Sequence, residues 1–415
     1  MKRLFFCALA AAFALCACNG SGIDWTDRGG SDSGNEYKAL ELSTKGAGYV
    51  EKGNGFALRL MENVIGAESI NGGSFIVSPL SMQFLLGMML SGAQGQTADE
   101  ICEVLGYGAS ETADVNEYCK SLLEQLPGLD AKTKLKIANA VLVNKNYSML
   151  DSYKKTVADF YGAKVENTEF NMAAVNRINS WCSQQTAGKI PSILKALDPD
   201  TFAVLLNAMY FKSKWSNEFS KDATAKTIFI REDGTNKYVD MMKQGGMRSY
   251  GWHDIFRAVS LPYGNGAFSM VICLPDEGHT VSEVAAALND IGWKSFLNGM
   301  GSVKVDLWLP KFESTTELRF NDLLSAMGMP LAFTGLADFG AMTELPVCIS
   351  EIKQKAFISV DESGSEAAAV SIGTMMPTSA GPEPGETVVF HCDHPFLYFI
   401  TEQSSSAILF AGNYQ

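Results

Sequence analysis

Few side chains in this sequence are grouped so that they could make or break bonds. His391-Cys392-Asp393-His394 sets four metal-ligand types in a row. In a strand His391 and His394 point to opposite faces, so they do not close on one ion. Ser350 and Lys353 have the Ser-x-x-Lys spacing of an acylating serine, but they lie in a β-rich stretch rather than at a helix start. No Gly-x-Ser-x-Gly, His-Glu-x-x-His or phosphate-loop pattern occurs. Four histidines (His253, His279, His391, His394) leave little for acid–base work. The chain therefore reads as neither an enzyme nor a metal protein, and it carries no cofactor motif.

The stretch that stands out is Glu362-Ser363-Gly364-Ser365-Glu366-Ala367-Ala368-Ala369-Val370-Ser371. Gly364 tolerates a sharp change of backbone direction. Ser365, Ala367, Ala369, Ser371 and then Gly373 share one face if the run becomes a strand, and Glu366 falls on the other. Small residues inward and a charge outward suit a segment that can exist as a loop and also enter a sheet.

The elements around it alternate without repeats. Helical spacing predicts helices at Gly55–Ile65, Ser81–Ser91, Thr97–Leu105 and Asn176–Gln185, with Thr97 capping the third, and a further one at Phe320–Met327. Val204–Phe211 is an unbroken apolar run suited to a strand buried on both faces. Val303–Leu309 alternates as a half-buried strand, and Leu397–Ile400 with Ala407–Phe410 reads as a buried hairpin. Helices early and strands late give an α+β class with a large mixed sheet.

Five segments in order resemble the serpin family across residues 49–415: Phe75–Ser81, Ser91–Ile101, Asn207–Trp215, Leu309–Phe312 and Ala337–Phe339, followed by the small-residue run and Phe390–Ile400. The resemblance implies a serpin fold: a large, mostly antiparallel central sheet, smaller sheets, about eight to nine helices and an exposed reactive-centre loop at about 362–389. It places Glu362, Gly364, Ser365, Glu366, Ala367, Ala368, Ala369, Val370 and Ser371 in the loop hinge. It places Ser78, Ser81, Asn207, Trp215, Lys311 and Gln354 in the region under and above the sheet that must open. Gln354 stands where the family often has His, and an amide keeps hydrogen bonds but cannot titrate. Lys311 and Glu362 match a pair linking the loop base to the sheet top.

The activity implied is suicide inhibition of a serine protease. The protease attacks the loop, forms an acyl-enzyme, and is trapped when the cut loop inserts as a strand. About fourteen inserted residues span roughly 45 Å. Loop length counted from Gly364 puts the scissile bond at Thr378-Ser379, with Met375-Met376 as runner-up; counted back from Pro395, the loop is about five residues longer than is usual in the family. No Lys or Arg occurs from Ala356 to Gln415, so a trypsin-like pocket finds no residue to bind. Elastase-, chymotrypsin- or subtilisin-like pockets suit Thr378 and Met375. A papain-like cysteine protease as target, or a non-inhibitory serpin acting as a binding protein, are the alternatives. The expected partner is the protease in a covalent complex with a monomer.

Lys2 and Arg3, an apolar run to Leu15 and small residues make 1–17 a leader. Leu15-Cys16-Ala17-Cys18 resembles a bacterial lipobox, which implies lipidation at Cys18 and a lipid-anchored or extracellular protein of the bacterial cell envelope. The leader is too short to span a bilayer. Gly/Ser/Asp-rich residues 18–38 read as a tether, and 39–415 as one domain. With 33 basic and 46 acidic residues and a net charge of −13, the chain is unsuited to nucleic acid or to electrostatic docking on anionic membranes. The six cysteines beyond Cys18 are widely spaced, without CxxC pairs, and read as buried small hydrophobes.

Overall fold

The computed structural model describes residues 35–67, 70, 72–364 and 387–415. Nine α-helices occur among them. Helix α1 (Thr44–Ile65) starts eleven residues before the predicted Gly55, because Ser43 caps it by accepting from the Gly46 N–H. Helix α2 (Pro79–Leu90) has every residue buried. It is apolar all round, as a helix inside a core must be, and Pro79 opens it where a missing N–H costs nothing. Helix α3 (Gly95–Leu105) begins before Thr97 and has no side-chain cap. Thr97 is buried inside it, and its hydroxyl accepts from the Asp338 N–H at 2.9 Å. The predicted capping box is therefore absent; tertiary contacts use both its residues, since Glu100 accepts from the Leu331 N–H. Helix α6 (Met172–Gln185) starts four residues before the predicted Asn176 and is capped by Asn171.

The largest sheet has nine strands. Its path runs β1 (Phe75–Val77), β14 (Ile408–Tyr414), β13 (Phe396–Glu402), β8 (Phe268–Pro275), β7 (Phe256–Tyr263), β6 (Asn236–His253), β9 (Gly301–Pro310) and β12 (Thr387–His391), with β5 (Ala225–Ile230) pairing β6. All its pairings are antiparallel except β12 on β9. The predicted C-terminal hairpin is β13–β14, and all of both strands is buried.

Two smaller sheets lie across α2. One has β2 (Lys134–Asn144) between β3 (Lys164–Thr168) and β4 (Ala203–Lys212). The other pairs β10 (Phe312–Arg319) with β11 (Lys353–Val360). Strand β4 is buried only in part: Leu206, Ala208 and Met209 are covered, whereas Lys212 is exposed. A separate small core of Ala140, Leu142, Ile178, Cys182 and Leu206 joins α6 to β2 and β4, and Phe357 of β11 packs against it. No helix among the described residues is long and apolar enough to cross a membrane.

Candidate functional site

Strands β4 and β11 belong to different sheets, β4 bonding only β2 and β11 only β10. Ser78, the cap of α2, touches both: its Oγ lies 3.3 Å from Met209 Sδ on β4, and its N–H donates to Gln354 Oε1 on β11 at 2.8 Å. Gln354 returns a bond from Nε2 to the Ser78 carbonyl at 2.9 Å. Each of the two strands therefore has one edge whose backbone donors and acceptors bond no neighbouring strand, and Ser78 links the two.

Short polar side chains link α2 to β4 and β2. Ser81 Oγ donates to Asn207 Oδ1, and Asn207 Nδ2 donates to Asn139 Oδ1 at 2.7 Å. Asn139 Nδ2 then reaches the Tyr161 carbonyl at 2.7 Å. Asn139 and Asn207 are direct cross-strand partners on β2 and β4. The sequence reading found Ser78, Ser81, Asn207 and Gln354 but missed Asn139. Its signal was there, an Asn in the middle of a strand, where Asn is depleted.

The chain leaving β11 turns back on itself. The Gly364 N–H donates to the Asp361 carbonyl at 3.0 Å, and Gly364 has φ +88°. The segment after β4 holds this turn: the Trp215 N–H donates to the Ser363 carbonyl at 3.1 Å and the Phe219 N–H to the Glu362 carbonyl at 2.9 Å. Trp215 Nε1 donates to the Asp361 carbonyl at 3.0 Å, and its ring stacks on Tyr263 with centroids 4.4 Å apart.

Lys311 Nζ stands 2.7 Å from Glu362 Oε2, and Thr224 Oγ1 donates to Oε1 at 2.9 Å. The Glu362 side chain is only 7% exposed, so this is not a solvated surface pair. Burial alone would push its carboxyl up, but the Lys311 ammonium, a backbone N–H and the Thr224 hydroxyl together hold it below its ordinary 4.5. The bond to Glu362 raises Lys311 in turn.

The far foot of the loop is β12. Arg257 Nη1 donates to the Val389 carbonyl at 3.0 Å, and the His391 ring stacks on Trp308 and meets Asp306 at 3.0 Å. His394 lies between two oxygens, Asp393 Oδ1 at 2.8 Å and the Pro275 carbonyl at 2.9 Å. Burial lowers its pKa, yet those two acceptors raise it overall. The two histidines thus bind different strands. Cys102, Cys119, Cys182, Cys273 and Cys392 are buried and Cys348 is exposed, all as free thiols. Ser365–Ser371, Met375, Met376, Thr378, Ser379 and Cys18 lie outside the described residues.

Residues 51–415 match the family described as Serpin (serine protease inhibitor). The chain belongs to the serpin family. Among similar proteins, Iripin-2 of Ixodes ricinus is 32% identical over 367 residues, covering 86% of this chain and 91% of that protein. The crystal structure of the thermophilic serpin tengpin in its native state aligns with TM-score 0.79 at 27% identity, over 92% of this chain and 96% of that one. Human thyroxine-binding globulin, solved with thyroxine, aligns with TM-score 0.77 at 26% identity, over 89% of this chain and 98% of that one. Serpins are generally protease inhibitors rather than enzymes. In this serpin the described residues bring Ser78, Ser81, Asn207 and Gln354 together at the start of α2, and Trp215, Lys311, Glu362 and Gly364 together around the turn that follows β11.

Proposed function

We propose that this serpin is a suicide inhibitor of serine proteases with elastase-, chymotrypsin- or subtilisin-like pockets. The observation that carries the reading is the unpaired edges of β4 and β11, linked through Ser78, with the chain reversing at Gly364 as it leaves β11. A strand entering there gains ladder hydrogen bonds on both edges, which the intact loop, tied at both ends, forgoes. Its inward residues Ser365, Ala367, Ala369, Ser371 and Gly373 are all small, so entry needs no space that the α2 side lacks. Cutting at Thr378-Ser379 releases the tie, and the ester to the protease travels with the inserting strand. A trypsin-like protease, whose pocket carries an acid, finds no basic residue from Ala356 onward. Lipidation of Cys18 would place the inhibitor on the bacterial envelope, and Cys18→Ala should then release it into the soluble fraction.

The test is incubation of the purified protein with neutrophil elastase, followed by denaturing gel electrophoresis and mass spectrometry. The expected result is an adduct near the summed mass and a released peptide starting at Ser379. Clean cleavage without adduct, repeated with chymotrypsin and subtilisin, would move the protein to the non-inhibitory members of the family.

A further inference from the structure

Cations drawn away from water are normally paired with a carboxylate. Arg248 on β6 is an exception. Its side chain is half-buried and lies against Gly246, where a Cβ would come within 3.1 Å of Nη1. Nη1 donates to the Met247 carbonyl at 2.8 Å, and Nη2 donates to Gln244 Oε1. Both acceptors are neutral, and Nε is buried without a hydrogen-bond partner. Among the described residues no carboxylate acts on this guanidinium, and burial alone pulls its pKa down.

The Arg248 side chain lines a cleft of about 10 Å³, room for one water-sized group. Trp215, Phe219, Leu261 and Pro262 give the cleft apolar walls, and Gln244 and Asn217 are its neutral polar residues. Glu218 lies in the same segment, but its carboxylate faces Lys214 at 3.7 Å, and Gln244 Nε2 meets only its carbonyl. An uncompensated guanidinium beside apolar walls is costly unless a counter-charge joins it. The buried Nε–H is a free donor, and a charge-assisted bond to an anion is stronger where water is largely excluded. The space suits one chloride ion or the end of one small carboxylate, and it is too small for phosphate or sulfate.

We propose that Arg248 anchors a binding site for a small monovalent anion, chloride or the carboxylate end of a small acid, in the cleft between β6 and the segment that follows β4. The site is independent of the inhibitor reading, yet it reaches the turn at Asp361–Gly364. Gln244 ties the Arg248 guanidinium to the Glu218 carbonyl, and the next residue, Phe219, donates its N–H to the Glu362 carbonyl at 2.9 Å. Trp215 lines the cleft and donates its N–H to the Ser363 carbonyl at 3.1 Å. An anion that binds the folded protein alone stabilises it by mass action, and here it does so through the segment that holds this turn.

The test is urea unfolding of the full protein and of Arg248→Gln in sodium chloride, sodium formate and sodium isethionate at equal ionic strength. Isethionate is the control, because its sulfonate is too large for the cleft. In the unaltered protein chloride should raise the folding equilibrium constant over isethionate along a saturating curve, by about tenfold at ten times its dissociation constant. In Arg248→Gln the chloride and isethionate curves should coincide. A gain from formate above that from chloride assigns a carboxylate, and a smaller one assigns chloride. Crystals grown in sodium bromide give the second measurement, with an anomalous peak expected within about 3.5 Å of Arg248 Nε. It decides the case if Arg248→Gln does not fold. Coincident chloride and isethionate curves in the unaltered protein overturn the proposal, and a bromide peak without a gain in solution is then an adventitious ion only. A chloride gain that survives in Arg248→Gln, or the absence of bromide from the cleft, overturns it as well.

Discussion

Gly364 presses its α-carbon against Trp215: a Cβ at that position would stand 2.2 Å from the Trp215 nitrogen. Its φ of +88° lies where side chains are strained as well. The same Trp215 nitrogen donates to Ser363, so contact and hydrogen bond hold the turn from both sides. The turn at Asp361–Gly364 is thereby fixed to the segment that follows β4.

Gly364→Ala should destabilise the native protein by about 2 kcal/mol or more, since backbone strain and a backbone clash add. Urea denaturation of both proteins checks this. A change below about 0.5 kcal/mol would mean that the turn opens freely and does not position the loop.

Glu362 gives an acid limit. Its carboxyl is held below 4.5 in the folded state, so its contribution is complete above the ordinary value and is lost as pH falls through the folded one. Lys311, raised above 10.5, contributes fully below that value and loses its contribution only above it. Urea midpoints of the wild type should therefore fall more steeply than those of Glu362→Gln between about pH 5 and 3. Parallel curves would show that the pair does not stabilise the fold.

His394 gives an opposite slope. Its folded pKa is raised above 6.5, so its stabilisation is complete below 6.5 and is lost as pH rises through the folded value. The advantage of the wild type over His394→Gln should shrink from about pH 6.5 upward. Thermal midpoints at constant ionic strength test it, and an advantage independent of pH would contradict it.

Asn207→Leu removes the partner of both Ser81 and Asn139. Stranding two buried polar groups should cost about 1–3 kcal/mol. Equilibrium unfolding reads the loss, and a neutral result would mean that the network re-pairs around the gap.

Thr378→Arg should convert the target class. The wild type is expected to give no adduct with trypsin, and the variant an adduct with a released peptide beginning at Ser379. Cleavage by trypsin elsewhere, or no adduct, would relocate the scissile bond to Met375-Met376.

Much of the fold was legible because its signals are local. Alternation marked β9, and the apolar runs marked α2 and the terminal hairpin. Element starts were less legible. Asn171 and Ser43 cap α6 and α1 ahead of the predicted positions, because caps precede the apolar periodicity that announces a helix. Thr97 misled for the reverse reason: a residue type that caps in isolation was claimed by Asp338, 241 positions away.

The sequence by itself determined the family, the run of small residues after Gly364, the polar residues Ser78, Ser81, Asn207 and Gln354, and the absence of basic residues from Ala356 onward. All of these are composition or spacing within one segment. Only the tertiary structure decided that β4 and β11 do not pair, that Glu362 is buried with Lys311 and Thr224, and that Asn139 completes the polar network of Ser81 and Asn207. Trp215 meets Asp361 across 146 positions and Ser78 meets Gln354 across 276. Periodicity carries no information over such distances; which strands meet is settled by how the whole chain buries its apolar faces.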